Sequence, residues 1–399
     1  MVTRDSSIPV SRRLTPFAYG FRPFFLAAFL YAFIGIVAWL VARQTGASLL
    51  PTLPPQLWHG HEMLFGFIVP AIAGFLLTAV PSWTGHKGFA GWPLVVLALL
   101  WLAGRVAFLF TSSVSLNVLA IAELVFLPAL AAFVAWPLLR ARNRNTPLLL
   151  VLAALWFTDA TFICSLALAD VQLGRQMLLV GIDIVLLLIT VIGGRIVPAF
   201  TASALRRRGI ADEVRTVRGL DLATIVAMVV LVAIDAFAPV PWAVASIAAV
   251  AAVLHAVRLF GWRGLRTLKE PIVWVLHLGY AWLPVGLALK AVHAGTGAAW
   301  AADWLHALTA GAAATMIVAV ITRASLGHTG RPLVVSRAVA IAYGVLTAAA
   351  LVRAFATAMG SLREQALWVA AALWTIAFAV LLFVYVPIFV RPRVDGKPG

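Results

Sequence analysis

An all-α, polytopic membrane protein is the fold class this chain predicts, and three observations predict it. Of its 399 residues 63% are apolar and 11% charged, where a soluble domain carries about 25% charged residues. Apolar runs of about 20 residues, each able to cross roughly 30 Å of hydrocarbon as a helix, recur along the whole length. Lys and Arg gather in alternate connections. About twelve transmembrane helices follow, starting near Phe21, Trp58, Gly91, Val114, Thr146, Arg175, Gly219, Val240, Pro271, Ala299, Ser336 and Glu364.

Nothing between the spans is long enough for a soluble domain. The longest hydrophilic stretch, 206–218, is a basic loop, and the other connections are short turns of Gly, Pro and polar residues. Residues 1–399 therefore read as one transmembrane domain.

The formal charge of +16 is placed by topology. Arg4, Arg12, Arg13 and Arg22 precede span one, and Arg140, Arg142 and Arg144 follow span four. Arg195, Arg206, Arg207, Arg208, Arg215 and Arg218 follow span six, and Arg258, Arg263, Arg266 and Lys269 follow span eight. Arg323, Arg331 and Arg337 follow span ten; Arg391, Arg393 and Lys397 end the chain. The alternate loops hold Arg43, Arg175, Lys290, Arg353 and Arg363. Short basic loops mark the cytoplasmic side, so both termini are expected there, and the lipid bilayer replaces nucleic acid as the expected partner. The first apolar run is too long for a signal peptide and lacks a small-residue cleavage site, so it counts as span one. Cys164 is the only cysteine. That excludes an internal disulfide, a Cys-x-x-Cys-His haem attachment and a multi-thiolate metal site, and leaves His, Met or carboxylate as metal donors.

A four-helix unit used three times (15–145, 146–269, 270–399) is suggested by faint self-similarity. Thr15-Pro16, Thr146-Pro147 and Glu270-Pro271 each open a span, with an aromatic nine residues after each proline: Phe25, Trp156 and Tyr280. Spans two, six and ten close on Trp83-Thr84-Gly85, Phe200-Thr201-Ala202 and His328-Thr329-Gly330. In this register spans two and ten correspond, and both carry histidine at the outer end.

Those histidines are the chief candidates for chemistry, because ionisable groups inside a bilayer are costly and mark cofactors or pathways. Span two begins Trp58-His59-Gly60-His61-Glu62. Helical spacing lines His59 up with Glu62, Gly66 and Ala73 and turns His61 toward Phe65, Ile68 and Ile72. Span ten places His306 above a run of small side chains, 307–314, that leaves room for a planar group or for a close helix. Neutral imidazole is a good axial ligand for haem iron. Arg105 is a candidate partner for haem propionates, or else for a buried acid such as Glu123. His86, His255, His277 and His328, with Arg195 and Arg323, form a second polar group toward the cytoplasmic side. Most of these are expected at the surface. His277 lies within span nine, where an unpaired polar group is expensive, so it either ligates copper, which imidazole suits, or bonds a backbone carbonyl. Glu123, Asp159 and Asp183 also lie within spans, to relay protons or to neutralise arginine.

The strings Gly20-Phe21-Arg22-Pro23-Phe24-Phe25, Trp58 to Phe67, Ala73 to Gly85, Gly193-Gly194-Arg195-Ile196-Val197-Pro198 and His306 to Arg331 together resemble the NnrS family over about five-sixths of the chain. The resemblance implies a bacterial inner-membrane protein containing haem and copper, acting on nitric oxide or iron-nitrosyl species in nitrosative stress or denitrification, with an unidentified electron donor. It carries over to His59, His61, Glu62, His277, His306, Arg323, His328 and Arg331, without saying which histidine binds which metal. The layout is also similar to that of the haem-copper oxidases. Spans six and seven contain no histidine, however, so an oxidase-type binuclear centre is not expected.

The leading expectation is a non-covalent haem b between spans two and ten, held by His306 and by His59 or His61, with copper on other histidines. Whether it catalyses, scavenges or senses stays open at this point. A secondary transporter of a metal or small anion is the rival, disfavoured by a repeat of four helices and by histidines clustered toward one face. The third reading is a structural partner of a denitrification complex.

Overall fold

The computed structural model describes residues 15–45, 53–111, 113–211 and 214–397, and Arg4, Arg12 and Arg13 lie outside them. Twelve membrane-length helices are present among the described residues: α1 Phe21–Gln44, α2 Pro55–Thr84, α3 Trp92–Leu109, α4 Leu116–Arg140, α5 Leu148–Ala167, α6 Val171–Arg207, α7 Arg218–Phe237, α8 Pro241–Gly261, α9 Pro271–Thr296, α10 Ala299–His328, α11 Arg337–Ala354 and α12 Thr357–Val390. Among the described residues, turns and 3-10 segments join them. The chain is a multi-pass membrane protein.

Local chemistry sets the helix ends. Pro55, Pro241 and Pro271 stand at first helical positions, where the missing N–H costs nothing. Asp170 accepts from the N–H groups of Gln172 (3.0 Å) and Leu173 (2.9 Å), so α6 starts four residues before the expected Arg175. Gly85 and Gly297 end α2 and α9 in the left-handed region, at φ 68° and 69°, where a side chain would be strained. At its other end α6 runs on to Arg207, so Arg195 belongs to the helix and not to the following loop.

Burial separates core helices from the lipid-facing ring. In α2, 83% of the apolar window is buried, against 22% in α7, and α6, α9 and α10 also lie deep. Exposed Ile34, Leu99, Ile121, Phe157, Val253 and Phe383 cover the outside with apolar surface, as lipid requires. Sequential helices pack on one another, and α1 meets α12 to close the ring. Arg22 fastens that closure: its Nη1 donates to the carbonyls of Ile388 (3.1 Å), Phe389 (2.9 Å) and Arg391 (2.8 Å) at the end of α12. Those carbonyls have no partner within the helix and carry its negative dipole end.

Two core helices are distorted at the same place. In α2 residues Glu62–Ile68 are π-helical, and in α10 residues Ala307–Ala313 are. Each segment begins immediately after a histidine, His61 or His306. Such wide turns are rare and concentrate at functional sites.

Candidate functional site

At the end of the bundle remote from the long basic loop, His59 and His61 lead into two different polar groups. His61 is fully buried, stacked on Phe108 (centroids 3.9 Å apart) and Phe162 (4.8 Å). Its Nδ1 meets Glu62 Oε1 at 2.9 Å and its Nε2 meets Asp159 Oδ1 at 3.1 Å. Arg105 Nη1 donates to Glu62 Oε1 at 2.6 Å, and its Nη2 donates to Glu123 Oε1. The Tyr31 hydroxyl donates to Glu62 Oε2. Each of α1 to α5 thus contributes to one polar clasp. Glu62 joins His61 and not His59: its carboxylate is drawn toward the Arg105 guanidinium and the Tyr31 hydroxyl, on the side of the helix where the His61 ring lies.

One ligand atom from each of His61, Glu123 and Asp159 lies within 4.8 Å of the others, a spacing compatible with a metal ion. Arg105 already supplies a cation to Glu62 and Glu123 there, so the clasp is self-compensated in part. A cavity of about 10 Å³ against Arg105, Glu123 and Asp159 is at the lower limit for one water. Arg105 takes up the buried-acid role and is spent on Glu123 and Glu62.

His59 stands apart from this clasp. Its ring stacks on Trp39 with centroids 4.9 Å apart. Its Nδ1 is buried and has no hydrogen-bond partner among the described residues. A buried, unpartnered ring nitrogen is costly unless something else binds it. His306 lies within Coulombic reach of His59, and Arg353 within reach of both. Arg353 was placed by sequence in a connecting loop; it is instead a largely buried residue of α11, whose Nη1 donates to Asp303 Oδ1 at 2.7 Å. Asp303 Oδ2 accepts the Thr357 N–H at 2.8 Å and its carbonyl accepts the His306 N–H at 2.9 Å. One aspartate therefore fixes Arg353, the start of α10 and the start of α12 together.

The small residues below the imidazoles serve helix packing in part. A Cβ on Gly311 would lie 2.5 Å from Trp282 Cδ2, and one on Gly286 would lie 2.6 Å from the Leu308 side chain. Gly66 receives the Tyr31 ring in the same way.

At the basic end the predicted residues are dispersed. His277 Nε2 meets Thr201 Oγ1 at 2.7 Å, a hydroxyl where a backbone carbonyl was one of the two expected partners, and its Nδ1 has no partner among the described residues. His255 is fully buried and not at the surface: its Nδ1 meets Tyr280 OH at 2.8 Å, which Arg258 also contacts at 2.8 Å. His328 stacks on Tyr19, and its carbonyl accepts from Arg393 Nη1 at 2.6 Å. His86 is exposed. Arg323 lies over the Phe200 ring at 3.9 Å, and Arg195 donates to Asn145 Oδ1 at 2.6 Å. Arg331 tends toward a lowered pKa through burial and then through Arg391, while burial raises Tyr19 against the opposing field of Arg393. His277 and His328 share no such donor group with a third ligand among the described residues.

The model of the NnrS protein family matches residues 15–393. The chain belongs to the NnrS family. No curated protein sequence matched it. In this NnrS-family chain, sequence reasoning overlooked the burial of Lys290, which was assigned to an outer loop. Its Nζ lies 2.6 Å from Asp235 Oδ2 and 3.3 Å from Asp183 Oδ2, over the Trp304 ring at 4.7 Å. The signal was present: Asp183 and Lys290 each interrupt an apolar run, and opposite charges within lipid seek each other.

Proposed function

We propose that the protein holds a non-covalent b-type haem at His59 and His306 and binds nitric oxide there. The setting is the bacterial inner membrane, with both termini cytoplasmic, in defence against nitrosative stress or in denitrification. The observation that carries this reading is the buried His59 Nδ1 without a partner among the described residues, with His306 and Arg353 in electrostatic reach. The donor set fits: two imidazoles suit haem iron, and a guanidinium suits the carboxylates of its propionates. Bound there, a haem would supply an iron that exchanges one electron and takes nitric oxide where one of the two imidazoles gives way.

The chain's own residues do the rest. Trp39 braces the His59 ring, and the Asp303 anchor sets Arg353 and the His306 backbone relative to each other. The apolar surroundings exclude water and favour a neutral ligand over ions. For copper, the donors that suit best are His61, Glu123 and Asp159, provided that Arg105 moves aside.

Reduced-minus-oxidised spectra of protein purified from haem-replete cells test the haem. We expect a Soret band, lost in His59→Ala and His306→Ala and kept in His61→Ala. Absence of the band in the wild type, or unchanged spectra in the first two variants, overturns the reading. Metal analysis of the Asp159→Asn variant tests the copper assignment.

A further inference from the structure

At the basic end of the bundle, where α1 begins and α10 and α12 end, arginines that are far apart in the chain are gathered. Arg331 lies just past α10, and Arg391 and Arg393 follow α12 directly. Arg22, at the start of α1, is within Coulombic reach of Arg331 and Arg393, and Arg391 is within reach of Arg331. Hydrogen bonds hold this group together. The segment after α12 folds back on the turn after α10: the Val394 N–H donates to the Thr329 carbonyl at 3.2 Å, and Arg393 Nη1 donates to that of His328 at 2.6 Å. Gly330, at φ 72°, lets the two segments approach, since a Cβ there would lie 2.6 Å from Asp395 Cγ.

Such a gathering is costly without a counter-charge. The preference of Lys and Arg for one side of a membrane asks only that they lie in these connections; it does not ask for like charges to be folded against one another. Asp395, the acid of the group, is taken by Arg393, with Oδ1 2.9 Å from Nε and Oδ2 2.6 Å from Nη2. Arg22 Nη1 is spent on the carbonyls at the end of α12. Arg331 differs. Its guanidinium stays charged, yet its Nη1 is buried and has no hydrogen-bond partner among the described residues, and leaving such a donor unpaired is expensive.

Charge and place choose the occupant. Four guanidinium groups against one carboxylate leave an excess of positive charge that calls for an anion. Every cation of the group is arginine, whose planar fork matches phosphate oxygens two at a time. The residues stand within a few positions of the span ends, at the level of lipid headgroups. We propose that Arg331 and Arg391 bind a phosphate group here, with Arg22 and Arg393 supplying the surrounding positive field. The phosphate is that of an anionic lipid headgroup or a free phosphate ion, and the chemistry that recognises it is the same. The site lies at the opposite end of α10 from His306 and does not depend on the haem reading.

Native mass spectrometry of the purified full chain, delipidated and then titrated with phosphatidylglycerol or with diacylglycerol of the same acyl chains, reads the lipid source. Line broadening of inorganic phosphate in phosphorus NMR reads the free ion. The wild type should retain phosphatidylglycerol and not diacylglycerol, which assigns a lipid, or should broaden inorganic phosphate, which assigns the ion. Arg331→Gln should weaken that binding about 10- to 100-fold, the factor that goes with one hydrogen bond between charged groups. Arg391→Gln, at an exposed side chain, should weaken it too, and Arg331→Lys, which keeps the charge and loses the fork, should recover only part. Replacing Arg140 and Arg142 by Gln removes charge from the end of α4 and should leave binding unchanged. A wild type that binds neither phosphatidylglycerol nor inorganic phosphate overturns the proposal. So does binding that survives both Arg331→Gln and Arg391→Gln, or that falls as far in the Arg140 and Arg142 variant. If Arg331→Gln fails to fold, the wild-type titrations and Arg391→Gln decide.

Discussion

Replacing Arg105 by methionine isolates what holds α1 to α5 together at the histidine end. Arg105 bonds Glu62 and Glu123, and all three are buried. Its guanidinium carbon also lies 5.9 Å from the Tyr31 ring centre and 5.7 Å from that of Phe108. Removing one partner of a buried ion pair costs about 3–5 kcal/mol, because the charge left behind is uncompensated. The two ring contacts add about 0.5–2 kcal/mol where desolvated. Methionine keeps most of the apolar stem, so little of the cost comes from an empty volume. The single variant should therefore lose about 3.5–7 kcal/mol, read from thermal or SDS denaturation followed by tryptophan fluorescence. The triple variant Arg105→Met with Glu62→Gln and Glu123→Gln has no orphaned charge and should recover more than half of that loss, since apolar or neutral replacements of whole buried pairs are often tolerated. A single variant as stable as wild type, or a triple variant less stable than the single, refutes the compensation argument. In that event the acids are neutral in the native protein, and Arg105 acts by packing alone.

Arg22→Met removes three bonds from one nitrogen to the carbonyls of Ile388, Phe389 and Arg391. With about 1.5–3 kcal/mol for a hydrogen bond to a charged group and no simple additivity, the loss should exceed that of any single cap and should raise hydrogen exchange selectively at the end of α12. The tail pairing of Asp395 with Arg393 (Oδ2 to Nη2, 2.6 Å) should respond to pH in one direction only. The hydrogen bond from Arg393 holds the Asp395 carboxyl below the usual carboxylate range, so its contribution is fully present above the unfolded value of about 3.9 and is lost as pH falls through the lower folded value. Fluorescence anisotropy of a label on Lys397 should stay constant from near neutrality down to that range and fall only in stronger acid; loosening at pH 6 contradicts the assignment.

Twelve spans and their order were legible because hydropathy and span length alone determine them in lipid. The candidate site was legible by type and not by partner. His59, His61 and His306 stand out as costly groups in apolar helices, yet the separation of His59 from His61 follows from what surrounds them. Asp159 on α5 and Glu123 on α4 reach His61 across the bundle, and no local spacing encodes that. Arg105 carried two readings in the sequence, and contact with Glu123 chose between them. Arg353 and Lys290 were taken for loop cations because charge counts along a sequence do not show that Asp303, Asp183 and Asp235 draw those side chains inward. His255 was misplaced for the same reason: Tyr280, 25 residues on, supplies its partner.

The π segments bear on the repeat in a way that hydropathy does not. By their register His61 corresponds to His306, since each directly precedes a seven-residue π turn. By electrostatic neighbourhood His306 goes with His59, which shares Arg353 with it. Strict symmetry would have placed His61 against Arg353 as well. The difference lies in the acids around His61 that His306 lacks: Glu62 holds its Nδ1 and Asp159 its Nε2, whereas His306 stands above the small side chains of Ala307, Ala310 and Gly311, the last packed against the Trp282 indole. A π turn costs hydrogen-bond quality and is kept where it places a side chain that a regular helix cannot. Under the four-helix register the sequence suggests, two corresponding helices contribute histidines with different partners, and the proposed haem site draws on His59, the one span-two imidazole with a buried ring nitrogen left unpaired among the described residues.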